Sequence, residues 1–396
     1  MIMYRTKNPT SKSKLALPKA PRVAPIERPL LIKLTFIPGL KAIVLEELSK
    51  YPNLKITESF EDKLYLDFIP DFKNVLLLKS ILNAYVVKQD EKINPYHVCN
   101  HKSILGDLID IVLNKDPISN NKSSNKKVQV DNGKIKNKVT LNKPVFKTFK
   151  LRCAGSDSKE VIEIQSYIIN TYKLRETEEA DMEIYMSKPN ELWEVSVRLT
   201  TRPLSLRDYR VANIKGGLNP TIAYTMNTFC NIGVKHKSYL NVFSGSGTLL
   251  IEAGLEAMKS NPNLKLVGFD IDGKSNALAI QNIKKADLIR QIHLKTADIY
   301  NKPHLGKFDI IVSDLPFGMQ ISSKENLDNL YQTFVTYCEE TLNQEGVLVV
   351  YTTEHKILQR ILEISTFSIT KTLDLVIPTS VVNSYLYPRI FVCKLK

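Results

Sequence analysis

Four apolar segments between residues 239 and 318 constrain the fold of this chain more than any other feature. Each has the length and composition of a buried strand, and helical patterns separate the first three. The segments are residues 239–243, 264–269, 292–297 and 308–313. The first ends in a glycine-rich turn, and the others end at Asp270, Asp298 and Asp314. Strands that alternate with helices predict an α/β fold with a parallel sheet, whose ligands bind at the carboxyl ends of the strands.

The glycine-rich turn, residues 244–248 (Ser-Gly-Ser-Gly-Thr), limits the kind of ligand. It lacks the Lys-Ser/Thr pair of a phosphate-binding loop, so an NTPase is excluded. Leu250 stands where a dinucleotide fingerprint has its third glycine. Because no pyrophosphate-binding pattern is complete, the turn favours a nucleoside without phosphate.

The acidic residues at the strand ends indicate how such a nucleoside binds. The Asp270 carboxylate can accept hydrogen bonds from both ribose hydroxyls, and the Asp298 carboxylate can accept from an adenine amine. The turn lets the backbone approach a charged amino-acid tail closely. Together these features predict S-adenosylmethionine; the alternative is a cofactor-free sheet whose aspartates only cap turns. The predicted cofactor-binding residues are Asn241, Ser244, Gly245, Ser246, Gly247, Thr248, Asp270, Ile271, Asp298, Ile299 and Asp314.

The fourth segment runs into Asp314-Leu315-Pro316-Phe317-Gly318, which suits methyl transfer to an exocyclic amine. Such an amine is a poor nucleophile, because its lone pair is delocalised into the ring. Asp314 can accept one amine hydrogen, and a backbone carbonyl at Leu315 or Pro316 can accept the other. Pro316 stiffens the turn, and Phe317 offers a face on which an extruded base stacks. The alternative is a strand-ending turn without a catalytic role.

The positions of the cysteines exclude one class of methylation. Methylation of a pyrimidine at carbon 5 needs a cysteine nucleophile near the base, and residues 314–318 contain none. Cys338 falls within a predicted helix and Cys393 within the last predicted strand. Methylation of an exocyclic or ring nitrogen remains, and the loop by itself does not choose between adenine and guanine.

Three segments resemble motifs of the THUMP-domain guanine-N2 RNA methyltransferases. Residues 241–253 are similar to the first methyltransferase motif of that family, residues 268–272 to the second, and residues 314–318 to the catalytic loop. Within the first motif the family usually has Asp-Pro where this chain has Asn-Val, and often Cys where it has Ser244. The resemblance runs from about residue 30 to the C-terminus, with an unmatched stretch at 114–148.

The resemblance implies an enzyme that uses S-adenosylmethionine to form N2-methylguanosine in RNA. Asp-Leu-Pro-Phe-Gly is closer to the branch that acts on the acceptor stem of tRNA, at position 6, than to the ribosomal branch. A 23S rRNA guanine-N2 methyltransferase is the first alternative. A catalytically weak THUMP RNA-binding protein and a DNA adenine methyltransferase are the others. The resemblance also leaves room for a small activating partner protein.

Two upstream segments extend the resemblance. Residues 149–157 are similar to the central THUMP strand and turn, and residues 201–210 to the segment that joins THUMP to the catalytic domain. The family implies that THUMP grips the 3′ end and acceptor stem of a tRNA. Arginines offer phosphate partners, and a tyrosine offers a stacking ring. The predicted RNA-binding residues are Arg202, Arg207, Tyr209 and Arg210. The alternative for each is a salt-bridged domain junction.

These assignments divide the chain into five segments. The order strand–helix–strand–strand–helix–strand over residues 30–89 is that of a ferredoxin-like unit. The predicted segments are a disordered basic N-terminus (1–29), a ferredoxin-like domain (30–92), a THUMP domain (93–205) with a Lys/Asn-rich insertion (114–148), a linker (206–218) and a Rossmann-like class I methyltransferase domain (219–396).

Two local predictions belong to the upstream half. Asp71 is predicted to cap a helix that runs through Ser80. His97 and His101 lie one helical turn apart. We interpret them as part of a solvated helix face, because no second pair of ligands follows at the spacing of a zinc site.

Charge is concentrated in two segments. Residues 1–29 carry seven Lys/Arg and one acidic residue, and residues 114–150 carry ten Lys and two acidic residues, which together account for the net charge of +14. Basic segments attached to neutral domains favour a polyanion such as RNA, or reflect only a biased composition.

The cysteines are odd in number and scattered, which suits a reducing compartment, and no apolar run approaches the length of a membrane span. We therefore expect a cytoplasmic protein, with an organelle transit peptide in the basic N-terminus as the alternative. We also expect a monomer.

Overall fold

The computed structural model describes residues 29–92, 94–113, 145–155, 158–189, 191–214, 216–317, 324–379, 381 and 383–396. The predictions for the basic N-terminus (1–28) and for residues 114–144 of the insertion lie outside the described residues, as does Gly318. The described residues form one large sheet in each half of the chain and one short strand pair.

Strands alternate with short helices in the N-terminal half. The elements are β1 (Leu31–Thr35), α1 (Lys41–Leu48), β2 (Ile56–Ser59), β3 (Lys63–Asp67), α2 (Lys73–Leu76), β4 (Asn83–Asp90), α3 (Asp107–Val112), β5 (Thr148–Arg152), α4 (Lys159–Tyr172), β6 (Arg175–Glu176), β7 (Met182–Ser187) and β8 (Trp193–Arg198). The predicted order of strands and helices over residues 30–89 is confirmed.

The strands of this half form a single sheet in the order β2-β3-β1-β4-β8-β7-β5-β6. β4 pairs antiparallel with β8, so that Val86 lies opposite Val197. Both strands are buried along most of their length, and a buried strand needs a hydrogen-bonded neighbour on each edge. The two segments that the sequence predicts as separate domains therefore share one continuous sheet.

A buried carboxylate strengthens that junction. Glu194 in β8 is 4% exposed and accepts from Lys33 Nζ at 2.6 Å, from the Tyr65 hydroxyl at 2.6 Å and from Gln89 Nε2 at 2.9 Å. Burial works against its ionisation, but the Lys33 ammonium and these donors hold the pKa of Glu194 below its usual value. The three donors come from β1, β3 and β4, so the Glu194 carboxylate of β8 links four strands by hydrogen bonds.

The predicted helix over residues 71–80 is wrong in its length. Asp71 does accept from the Lys73 amide at 3.1 Å, but α2 ends at Leu76. The buried Glu47 carboxylate accepts from the amides of Lys79 and Ser80 at 2.8 and 2.9 Å. These amides are therefore drawn away from helical hydrogen bonds, which explains the early end of the helix.

The interpretation of His101 as solvated is also wrong. His101 is 2% exposed, begins the π-helix His101–Gly106 and packs against Tyr167 of α4 with ring centroids 5.7 Å apart. Burial lowers its pKa, which favours the neutral ring. His97 is exposed, and the described residues contain no group of three His, Cys, Asp or Glu side chains that could hold a metal.

The C-terminal half has the predicted α/β arrangement. Its elements are α5 (Pro220–Phe229), β9 (Ser238–Val242), α6 (Thr248–Ser260), β10 (Lys265–Asp270), α7 (Gly273–Lys285), β11 (Ile292–Thr296), β12 (Phe308–Asp314), α8 (Lys324–Thr341), β13 (Leu342–Thr352), α9 (His355–Ile364), β14 (Phe367–Asp374), β15 (Ile377–Pro378), β16 (Tyr385–Leu386) and β17 (Arg389–Leu395). Within the described residues, no helix combines the length and apolarity that a bilayer crossing requires.

The sheet of this half has the order β11-β10-β9-β12-β13-β17-β14. Its first five strands are parallel, and β17 is antiparallel to both of its neighbours. The strand order reverses direction between β9 and β12, and a crevice forms where the connections leave on opposite faces. The carboxyl ends of β9, β10, β11 and β12 therefore lie along one edge of the sheet.

Candidate active site

A cavity of about 550 Å³ opens at this edge. Its walls come from the turn after β9, the ends of β10 and β11, the loop after β12, and a segment before α5 that comprises Ile214 and residues 216–218. A cavity of this volume is of the size that accommodates a small organic ligand. The strand ends that the sequence predicts to bind a ligand thus meet at this cavity. The segment before α5 forms its fourth wall, which the sequence does not predict.

The backbone conformation explains the glycine-rich turn. Gly245 and Gly247 have φ angles of +49° and +79°, which side chains with a Cβ disfavour. A Cβ on Gly247 lies 3.2 Å from the Cβ of Ala279, so the turn packs directly against α7. The Gly245 amide donates to Asp270 Oδ2 at 2.9 Å, which ties the turn to the end of β10.

Polar groups around the cavity keep hydrogen-bonding capacity for a ligand. Each Asp270 carboxylate oxygen accepts one backbone amide, and each retains a second lone pair. Asp298 accepts from the Tyr300 amide at 3.0 Å through Oδ1. The Ser244 hydroxyl is buried and has no hydrogen-bond partner among the described residues. With the apolar side chain of Ile271, which is 64% exposed, these groups fit the ribose, base and amino-acid tail of S-adenosylmethionine.

Most predicted cofactor-binding residues line this cavity. They are Ser244, Gly245, Ser246, Thr248, Asp270, Ile271, Asp298, Ile299 and Asp314. Asn241 does not line it, and that prediction is corrected. Asn241 is fully buried within the sheet, where its Nδ2 donates to the carbonyls of Val242 and Val312, each at 3.0 Å. Its amide therefore links β9 to β12. Gly247 faces α7.

The fourth wall is held by a residue that the sequence reasoning missed. Asn282 in α7 is fully buried. Its Oδ1 accepts from the Ala212 amide at 2.9 Å, and its Nδ2 donates to the carbonyls of Ala212 and Ser246 at 2.8 and 3.1 Å. One side chain therefore fixes both the segment before α5 and the glycine-rich turn. The available signal was an asparagine on the apolar face of α7, between Ala279 and Ile283.

Replacing Asn282 with alanine is expected to reduce affinity for S-adenosylmethionine at least about tenfold, because the Ala212 amide, the Ala212 carbonyl and the Ser246 carbonyl of the turn all lose their partner. Calorimetric titration with the cofactor measures the change. Asn276→Ala is the matched control: this side chain in the same helix is buried but bonds to the Lys295 carbonyl and the Thr296 hydroxyl. Equal cofactor affinity in the two variants would contradict the assignment.

The loop after β12 brings the predicted catalytic residues to the cavity, with Asp314, Leu315, Pro316 and Phe317 all lining it. Asp314 Oδ1 is buried and has no partner among the described residues. Burial raises the pKa of Asp314 to about 7. An unpaired buried acceptor is costly, so this carboxyl is poised for a donor that the ligand supplies.

The loop has two candidate carbonyl acceptors, and their environments differ. Leu315 is fully buried, and its amide donates to the Tyr351 carbonyl at 2.9 Å. The Pro316 carbonyl accepts from the Tyr331 hydroxyl at 3.0 Å and keeps a second lone pair. Since Pro316 is partly exposed to the cavity, its carbonyl is the better placed of the two.

Two of the predicted RNA-binding residues are buried in the junction between the halves of the chain. Arg207 Nε donates to Glu252 Oε1 at 3.0 Å, and its other nitrogens donate to the Leu204 and Lys79 carbonyls. Tyr209 is 5% exposed, and its hydroxyl donates to the same Glu252 oxygen at 2.8 Å. Tyr209 is therefore too buried to stack on a base. Its hydroxyl and the Arg207 guanidinium serve instead as donors to the buried Glu252 carboxylate of α6.

The other two differ in exposure. Arg202 lies on the surface and pairs with Asp208. Arg210 is half-buried with its Nε enclosed, and its Nη1 lies 3.4 Å from the Leu218 carbonyl. Burial lowers the pKa of the Arg210 guanidinium. Of the predicted RNA-binding residues, Arg202 is the one whose charge is openly available to a phosphate.

Comparison with known proteins agrees with this geometry. The family described as UPF0020, an RMKL-like methyltransferase domain, matches residues 207–380. The tRNA (guanine(6)-N2)-methyltransferase of Archaeoglobus fulgidus is 28% identical over 173 residues, which are 38% of this chain and 43% of that protein. The U6 snRNA (guanine-N(2))-methyltransferase THUMPD2 of Mus musculus is 27% identical over 175 residues, 44% of this chain and 31% of that protein. The chain thus spans less than half the length of these relatives.

Structural similarity extends further along the chain. The crystal structure of TrmN from Thermus thermophilus superposes with a TM-score of 0.69 at 19% identity, and covers 93% of this chain and 100% of that one. At this identity the likeness shows the fold. The match to the UPF0020, RMKL-like methyltransferase domain covers the strands that form this cavity, so residues 207–380 are similar to that family over the whole candidate site.

Proposed function

We propose that this protein uses S-adenosylmethionine to form N2-methylguanosine in RNA, with the acceptor stem of a tRNA, at position 6, as its target. The observation that carries the proposal is that Asp314 Oδ1 is buried without a hydrogen-bond partner among the described residues, in the same cavity as the glycine-rich turn. The names of the relatives support guanine in RNA as the acceptor. The name of the first relative supports tRNA.

Each residue of the loop has a separate role in presenting an exocyclic amine to the methyl group. Asp314 accepts one amine hydrogen and stabilises positive charge on the nitrogen as its lone pair leaves the ring. The free lone pair of the Pro316 carbonyl accepts the second hydrogen, and Phe317 stacks on the base. S-adenosylmethionine supplies the electrophilic methyl group when bound. The chain holds the amine in line with that group, and positioning is the main catalytic effect.

The upstream half suits a role in RNA binding. We assign residues 30–92 to a ferredoxin-like domain and residues 93–205 to a THUMP domain, because the element order of the first and the motifs of the second agree with those units. Their shared sheet and the buried Arg207–Glu252 pair support a fixed spacing between the RNA-binding half and the cavity. Fixed spacing selects which nucleotide of a bound stem reaches the loop.

Activity is expected to rise with pH through the pKa of Asp314. The acceptor role requires the ionised carboxylate, and burial raises its pKa to about 7. Below that pH the protonated form dominates, so kcat/KM for the cofactor is expected to fall about tenfold per pH unit and to level off above it. The measurement is kcat/KM from about pH 5 to 9. Asp314→Asn should show no such dependence, and an identical profile in the variant would contradict the role.

Mass spectrometry of nucleosides tests the function. Purified protein is incubated with S-adenosylmethionine and, separately, with tRNA, 23S rRNA, U6 snRNA and duplex DNA. N2-methylguanosine in tRNA alone is the expected result. The same product in 23S rRNA alone would transfer the assignment to ribosomal RNA, and N6-methyladenine in DNA would replace it with a DNA methyltransferase. Cofactor binding without transfer to any substrate would favour an RNA-binding protein or a missing activating partner.

A further inference from the structure

The loop that presents the amine is anchored from behind by a buried tyrosine. Tyr331 in α8 is fully buried, and its hydroxyl contacts two groups: the Pro316 carbonyl at 3.0 Å and the Thr352 hydroxyl at 2.7 Å. Thr352 is also fully buried, and its oxygen accepts from the Glu354 amide at 3.0 Å. These groups form a continuous chain from the end of β13 to the catalytic loop.

The direction of the hydrogen bonds in this chain follows from the number of protons available. The Pro316 carbonyl has no proton, so the Tyr331 hydroxyl must donate to it. Tyr331 has then used its only proton, so the Thr352 hydroxyl must donate to Tyr331. Thr352 in turn accepts from the Glu354 amide. Burial raises the pKa of Tyr331, which keeps its proton in place.

We propose that Tyr331 is a positioning residue for methyl transfer, which holds the Pro316–Phe317 peptide so that the Pro316 carbonyl and the Phe317 ring face the acceptor base. The carbonyl oxygen and the amide of Phe317 belong to one planar unit, so fixing one fixes the orientation of the other. The Leu315 amide is clamped to Tyr351 of β13. The loop is thus held at the Asp314–Leu315 peptide by β13 and at the Pro316–Phe317 peptide by Tyr331 of α8.

The catalytic effect of Tyr331 rests on the proposed function. The anchor, which is the hydrogen bond from Tyr331 to the Pro316 carbonyl, does not. The anchor predicts order in the loop whether or not RNA is the substrate. Two independent readouts are therefore needed: transfer kinetics, and hydrogen exchange of the Leu315 and Phe317 amides, which reports local opening of the loop.

The test compares two tyrosines of the same helix. Tyr331→Phe removes the hydroxyl that holds Pro316. Tyr337→Phe is the matched control, because Tyr337 is 1% exposed and its hydroxyl donates to the Pro303 carbonyl at 2.9 Å, away from the loop. Each variant loses one hydrogen bond to a proline carbonyl, and Tyr331→Phe also loses the bond to the Thr352 hydroxyl, so a larger decrease in thermal midpoint is expected for Tyr331→Phe.

The two variants are expected to differ in the loop and in turnover. Tyr331→Phe should lower kcat about 10- to 100-fold with little change in KM for S-adenosylmethionine, since a small misplacement of the acceptor has effects of this order. Exchange of the Leu315 and Phe317 amides should accelerate at least about tenfold. Tyr337→Phe should leave both readouts near wild type.

Thr352 provides a graded second variant. Thr352→Val removes the hydroxyl that donates to Tyr331 but leaves Tyr331 bonded to Pro316, so a smaller decrease in kcat is expected, and Thr352→Ser should restore the wild-type value. Equal loop exchange in Tyr331→Phe and Tyr337→Phe would overturn the proposal, whatever the activity. A wild-type protein that transfers no methyl group to RNA, yet shows the exchange difference, would remove the proposed function and keep the anchor.

Discussion

Replacing Asp314 with alanine is expected to reduce kcat for RNA methylation at least about 100-fold, the usual cost of losing a preorganised group that meets charge developing in the transition state. Asp314 Oδ1 is buried and has no partner in the part of the chain that the structure describes, and no other carboxylate belongs to the loop between Asp314 and Phe317. Single-turnover transfer of a labelled methyl group measures the effect. Affinity for S-adenosylmethionine should change far less than kcat.

Asp309 in the same strand provides a matched control for this prediction. It lies at the opposite end of β12 and accepts from the amides of Lys237 and Ser238 at 2.6 and 3.1 Å. Asp309→Asn is therefore expected to lower stability and to leave kcat close to wild type. If Asp314→Ala and Asp309→Asn retained the same turnover, the role of Asp314 would be refuted.

The raised pKa of Asp314 should also make the stability of the folded protein depend on pH. Its pKa in the folded protein, about 7, lies above the value of an unfolded chain, so the native state binds the proton more tightly. Its contribution to stability is therefore present at low pH and is lost as pH rises through about 7. Asp314→Asn removes this loss. At alkaline pH the variant is expected to be more stable than wild type by a few kcal/mol, although its turnover is low.

Replacing Glu252 with alanine is expected to lower the free energy of unfolding by about 3–5 kcal/mol, because the Arg207 guanidinium remains in the junction without its counter-charge. The Glu252 side chain is fully buried, and that of Arg207 is 12% exposed. Tyr209 loses its acceptor in the same variant. Urea unfolding followed by circular dichroism measures the change.

Arg202, five residues before Arg207, is the control, because its pair with Asp208 is exposed. Arg202→Ala is expected to change stability by less than about 1 kcal/mol and to weaken RNA binding with a reduced salt dependence. Arg207→Ala should behave like Glu252→Ala. If Arg207→Ala left the unfolding free energy unchanged and reduced only RNA affinity, the sequence-based prediction of an RNA contact would be restored.

The order of strands, the turn and the strand-end aspartates could be predicted because each depends on a local pattern. Apolar runs of strand length predict β9 to β12, and the positive φ angles of Gly245 and Gly247 require the residue type that the sequence shows. Asp270 and Asp314 follow strands of a parallel sheet, and the geometry of such a sheet places them at one edge. Their convergence on one cavity needed no knowledge of side-chain contacts.

Other features depend on which residues meet across the fold, and no local pattern encodes that. Arg207 and Tyr209 are residue types that often contact RNA. In the folded chain both donate instead to the buried Glu252 carboxylate, more than forty positions away. Asn241 occupies a motif position, yet it bonds to the neighbouring strand. A polar side chain bonds with whichever partner shares its desolvated surroundings.

The sequence alone therefore determined the fold class of the C-terminal half and predicted, as a proposal, the chemistry of the loop after β12. Tertiary structure decided that the upstream strands join in one sheet, that Asn282 holds the fourth wall of the cavity, and that Tyr331 anchors Pro316. Secondary structure follows from residue periodicity within short windows. Burial and pairing follow from contacts between residues that are distant in the chain, and these exist only once the chain has folded.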